Sequence, residues 1–248
     1  MSTEINTAVN IELHPDTVTA QIGADGETAS YVASAVEAFE GAYTYLTGIH
    51  EVRKAAFADP TLTPEAALLR VDDHANAKLA AVTKRFDSTV ARFTTTINAL
   101  EADLSSSVKE QASKAVSAEV RAHMKASGDR VGLLEKAVAD KDLDVLSSVC
   151  GAPALLSGLS KEMHAHFTRL YNEMTKPETT KRLKALTAAR TQLENKGGLV
   201  IREMERAVGT IPVVSQKEGS KGQIIRHISP SEVRAKRDAS AKVYKQHA

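Results

Sequence analysis

Residues 64–126 read PEAALLRVDDHANAKLAAVTKRFDSTVARFTTTINALEADLSSSVKEQASKAVSAEVRAHMKA, and this stretch decides the fold. Thr63 offers a side-chain cap. Pro64 stands where a first helical residue can lack its N–H, and Glu65 puts an acid in the first turn. From there no Pro or Gly interrupts the chain until Gly128. An unbroken helix over 64–126 would span roughly 95 Å at about 1.5 Å per residue.

The apolar residues of this stretch recur every eleven positions. Val71, Val82, Phe93, Leu104 and Ala115 make one row, and Ala75, Phe86, Ile97 and Val108 a second, one turn later. Leu68, Leu79 and Val90 make a third. Eleven residues over three turns keep a stripe on one side of a nearly straight, slightly right-handed helix, unlike a heptad zipper. Ser, Thr, Lys, Asp and Ala surround the stripe, so it needs a cover of similar length. That cover is either other helices of this chain or further copies of it. Val71, Val82, Phe86, Phe93, Ile97, Leu104 and Val108 are therefore the candidate interface residues, with Val213 of a C-terminal hairpin added to them. Ser105-Ser106-Ser107, Ser117 and Glu119 weaken the rows, so a kink or break is an open alternative near 105–117.

Outward from this stretch the rest also reads as helix. Val32, Val36, Phe39, Tyr43, Leu46 and Ile49 predict a helix over about 28–57, ended by Asp59-Pro60. Beyond Gly128, Val131–Ala139 and a segment capped by Asp140 or Asp142 form short helices, and Gly151-Ala152-Pro153 a turn. Leu155 to Met174 reads as one amphipathic helix. Pro177 opens the next, with a stop expected at Gly197-Gly198 and further helix over Leu199–Val208.

Both ends look β-prone. Val9–Leu13 and Thr17–Ile22 alternate around His14-Pro15-Asp16. Ile211–Val214 and Gln223–Ile228 flank Lys217–Gly222. Ser229-Pro230-Ser231-Glu232 is a capping box that opens a last basic helix. The expected fold is mainly α: an elongated helical bundle or coiled coil with one very long helix and small β-hairpin arms at both termini. Its parts are an arm over 1–26, a helical body over 27–209 and a hairpin with a basic helix over 210–248. An isolated hairpin is marginal in water, so the arms join within one chain or pair between chains.

Composition supports helix contacts and removes several chemistries. The chain has 248 residues, 38 of them Ala, with 4% aromatics and no Trp. Five of the ten aromatics precede residue 60, a Tyr-rich set that suits core or contact. A single Cys150 excludes an internal disulfide and a multi-Cys zinc module. No run approaches the ~18 apolar residues of a membrane span, and Met1-Ser2-Thr3-Glu4 does not resemble a secretion signal. Gly219-Ser220-Lys221-Gly222 lacks the spacing of a phosphate loop. His164 and His166 point to different helix faces. Ser106-x-x-Lys109 has none of its partner motifs. No catalytic residue, cofactor or metal ligand is expected.

Charge is balanced at +1 overall but divided along the chain. Residues 1–60 carry nine acids and two bases, and 211–248 eight bases and three acids. The two ends can pair within a chain or between copies. Lys221, Arg226, Arg234, Lys236, Arg237 and Lys242 could contact nucleic acid, although Tyr244 is the only aromatic nearby for stacking. The expected role is a non-enzymatic structural subunit of a larger homo- or hetero-oligomeric assembly, in a virion or the cytoplasm. Tailed-phage head-associated, neck or tail proteins share this layout, by analogy and not by motif. The alternatives are a bacterial cytoplasmic coiled-coil adaptor or scaffold, and a nucleic-acid-contacting factor.

Overall fold

A computed structural model describes residues 5–111, 116–216 and 223–246. The described chain is mainly α, with ten α-helices, one 3-10 turn and one two-stranded antiparallel sheet. It divides into two compact units. The first holds Met1–Asp25, Val32–Ala91 and Ala189–Ala248, and the second Gly26–Tyr31 and Arg92–Ala188.

The N-terminal hairpin expected over residues 9–22 is helical instead. Asn10 caps a 3-10 turn, Ile11–Leu13, by accepting from the Glu12 N–H. His14 then caps α1 (Pro15–Ile22), its Nδ1 accepting from the Asp16 N–H at 3.2 Å. Pro15 has the fixed φ a first helical turn wants, and Gly23 closes the helix at φ 68°. The Val18–Ile22 pair, which also suits a strand, buries one face of α1 at helical spacing. Two polar caps and a Pro outweigh a short alternation.

The first unit is built on α2 (Ala29–Ala58) and the early part of α3 (Pro64–Gln111). Their side-chain pairings run in opposite directions along the two helices. Phe39 meets Phe86 edge to face at 5.0 Å, Glu37 pairs with Arg85 at 2.9 Å, and Tyr45 reaches Ala75. Val32, Phe39, Tyr43, Leu46, Ile49, Leu68 and Val71 are fully or almost fully buried.

α9 (Pro177–Val208) completes this core with Ala189, Leu193, Val200 and Met204. The stop expected at Gly197-Gly198 does not occur, because the buried row continues on both sides of it. Each Gly costs a helix only about 1 kcal/mol, less than a buried Leu or Val contributes. The helix stops at Gly209, whose φ of 67° is the left-handed cap, and the Arg53 guanidinium donates to the freed carbonyls of Val208 and Thr210.

In the second unit α4 (Val116–Ala126), α5 (Arg130–Ala139), α6 (Leu143–Cys150) and α8 (Lys161–Thr175) enclose a separate core. It contains Val108, Met124, Leu134, Leu146, Val149, Cys150, Phe167 and Tyr171. Asp129, Asp142 and Ser160 cap α5, α6 and α8 through their side-chain oxygens. The single helix expected from Leu155 to Met174 is two. Gly158 at φ 68° ends the short α7 (Ala154–Ser157), and Ser160 starts α8.

The stretch that decided the fold is therefore helical over α3, 48 residues rising about 72 Å, and again over α4. Residues 112–115, on which its continuity turns, and Ala115 of the first row lie outside the described residues.

Candidate functional site

The structure gives the apolar rows a cover. Val71, Phe86, Phe93, Ile97, Leu104 and Val108 are all buried by this chain, and Val82 is half-buried. Of the two covers the sequence allowed, this chain's own helices supply the one seen. Val213 is half-buried in the C-terminal sheet, opposite Arg226.

One cleft of the second unit gathers groups with chemical potential. It measures about 550 Å³, and Cys150, His164 and Thr168 line it between apolar residues such as Leu104 and Leu183 and charged ones such as Glu101 and Arg169. Burial pushes the Cys150 thiol up to about 11, with a Thr168 hydrogen bond pulling the other way. At neutral pH this sulfur is a thiol, not the thiolate that attacks. His164 Nε2 lies 2.8 Å from the Ala152 carbonyl oxygen, so its ring is committed to the turn after α6. Among the described residues no three or more His, Cys, Asp or Glu side chains are grouped to hold a metal ion.

A second groove, about 600 Å³, lies in the first unit where α3, α9 and the C-terminal segment meet. Arg234 crosses it, donating to Asp72 and to Asp73 Oδ1 at 2.6 Å. Those two carboxylates raise the Arg234 pKa further above its ordinary value. The groove thus carries a tether between the start of α3 and the chain's last helix.

That last segment is an arm. β1 (Ile211–Gln216) and β2 (Gln223–Ile228) pair with Ile211 opposite Ile228 and Val214 opposite Ile225. Alternation puts the first pair on one face, where both residues are buried. It puts Val214 and Ile225 on the other face, 57% and 64% exposed. Ser229 and Glu232 form the expected capping box, Ser229 N–H donating to the Glu232 carboxylate at 3.0 Å. α10 (Pro230–Gln246) follows. Val233 is its one buried residue, and from 235 to 246 every position is exposed. An isolated helix of that length is marginal in water.

The basic residues singled out by sequence divide into tethers and exposed charges. Arg226 pairs with Glu232, and Arg234 with Asp72 and Asp73. Lys236, Arg237 and Lys242 are exposed, Arg237 lying 3.5 Å from Asp238. Lys221 and the rest of the Lys217–Gly222 turn lie outside the described residues. Sequence reading missed the uncovered apolar pair Val214 and Ile225. The alternation that marks the strands also marks the two faces, but cannot say which is covered.

No family model matches this chain, and no curated protein or solved structure matches it either. Among the described residues no helix is long and apolar enough to cross a membrane.

Proposed function

We propose that this protein is a non-enzymatic structural subunit of a larger assembly, with two helical units as its scaffold and the arm formed by β1, β2 and α10 as its contact element. The observation that carries this reading is the arm's outer surface. A two-stranded sheet needs a third strand or a packed face for independent stability. Here one face is packed, and the other leaves Val214 and Ile225 exposed, beside a helix exposed at every position from 235 to 246. A surface of this kind is stabilised by a partner. The finer reading, a virion component of a tailed phage, rests on layout alone.

Sedimentation of the full chain and of a chain ending at Gly209, from micromolar to submillimolar concentration, tests the reading. Mass should rise with concentration for the full chain and stay at one protomer for the truncated one. A full chain that remains a single protomer throughout removes self-assembly. Contact with nucleic acid is the second reading, favoured by the exposed Lys236, Lys242 and Lys245. It leaves the exposed aliphatic pair without a role.

A further inference from the structure

The subunit reading leaves open what covers the arm, and two properties of the arm narrow the answer. It is cationic: residues 235–246 hold Lys236, Arg237, Lys242 and Lys245 against the single acid Asp238, all exposed. It is also apolar: Val214, Ile225, Val243 and Tyr244 are among the most exposed large hydrophobics of the chain. A partner that complements both must be acidic and carry uncovered apolar side chains. Phosphate backbones reward only the first property. A second arm, meeting the first about a two-fold axis, would set like charges against each other.

This chain presents such a surface in its N-terminal segment. The segment around the 3-10 turn exposes Ile5 (66%) and Ile11 (49%), next to the exposed carboxylates of Glu12 and Asp16. It belongs to the region with nine acids and two bases. The backbone there is fixed by the Asn10 and His14 caps and by the Lys196 ammonium, which donates to the Glu12 carbonyl at 2.6 Å. A rigid patch therefore offers two exposed carboxylates and two exposed isoleucines, with Lys196 and Arg206 holding its backbone from behind, to a basic, partly apolar arm.

We infer that β1, β2 and α10 of one copy dock on the 5–16 segment of a second copy. Val214 and Ile225 cover Ile5 and Ile11, and the α10 lysines face Glu12 and Asp16. The contact joins two different patches, so it closes as a dimer if two copies exchange arms about a two-fold axis, and otherwise repeats from copy to copy as a ring or a filament. This rests on the subunit reading and gives it a partner and an address.

The test is sedimentation at low and at physiological salt, on the full chain and on Lys236→Glu/Lys242→Glu, Glu12→Gln/Asp16→Asn and the fourfold combination, with helicity checked for each. All four changed side chains are exposed, so folding is expected to persist. Each double variant should weaken association on the order of tenfold, and less so at high salt. The combination should lose little more than the worse pair, because both changes break one contact. Ile225→Ser should weaken association without any added salt dependence. Losses that multiply, or an assembly indifferent to these changes, overturn the docking while leaving the subunit reading intact. A chain that never associates overturns the docking and removes self-assembly. A monomer that binds a 20-base-pair duplex through Lys236 and Lys242 replaces the second copy with nucleic acid.

Discussion

The Tyr45 hydroxyl donates to the Ala75 carbonyl oxygen at 2.9 Å, joining two helices across thirty residues of sequence inside a buried layer. The bond ties α2 to α3 where Asp72, the anchor of Arg234, lies one turn before Ala75. Helix packing and the attachment of the C-terminal arm are thus set by neighbouring turns of one helix.

That geometry gives Tyr45 a pH signature. Burial first, and the nearby Asp72 second, push its hydroxyl up to about 12 from an ordinary 10. The folded state holds the proton more tightly than the unfolded one. The contribution is therefore complete below pH 10 and is lost as pH rises from 10 towards 12. Tyr45→Phe should cost about 1 kcal/mol at pH 7, the ordinary worth of one buried bond. It should also flatten the alkaline fall of stability. Urea melts at pH 7, 10 and 11 read both effects.

Cys150 titrates lower and is separable. Its thiol rises from about 9 to about 11 through burial, so its share of stability fades as pH climbs through that interval. Cys150→Ala should remove the slope between pH 9 and 10 while leaving the Tyr45 window above it. The native thiol should react with a disulfide reagent at pH 8 far more slowly than the same thiol in urea. Equal rates in both states would show that the sulfur is not enclosed.

The apolar rows predict a graded mutational series. Phe86, 6% exposed and edge-on to Phe39, should cost about 3–5 kcal/mol when cut to Ala. Phe93→Asp should unfold its surroundings, since it sets an unpaired charge in a site only 3% exposed. Val82→Asp should be milder, because Val82 is half-buried and its carboxylate can reach water. Thermal melts of the three variants give the order. Equal losses at 82 and 93 would contradict the burial that separates them.

What the sequence made legible follows from where its signals are local. Pro64, Pro177 and Pro230 each stand at the first position of a helix, and Thr63, Asp142 and Ser229 cap as their residue types suggest. The eleven-residue rows pointed to a buried stripe, and six of the seven residues chosen from α3 are buried. The stripe could not name its own cover, because periodicity reports that a face is apolar and not what meets it. The N-terminal segment misled because Val18 and Ile22 satisfy both a strand and a helix pattern. The deciding signal was the pair of side-chain caps at Asn10 and His14, and His is an uncommon cap. Cys150 and His164 line one cleft only through the fold of the second unit, and no spacing announces that.

The glycines in and just after α9 give the sharpest contrast, because the same residue type should respond with opposite signs a few turns apart. Gly197 and Gly198 sit inside the helix, and a Cβ added at either meets nothing within 4 Å. Alanine there restricts the unfolded chain and restores helix propensity, so each substitution should stabilise by about 0.5–1 kcal/mol. Gly209 sits at φ 67°, and a Cβ there would lie 3.1 Å from the Arg53 guanidinium that caps the helix. Gly209→Ala should destabilise by about 1–2 kcal/mol, the cost of a left-handed non-glycine residue, and it should disturb the Arg53 bonds to Val208 and Thr210. It should also loosen the root of the arm, which begins at Ile211, so the association of copies should weaken together with the melting temperature. Chemical melts of the three variants, with sedimentation of the third, decide the point. A stabilising Gly209→Ala would show that the turn between helix and arm is not held in this conformation.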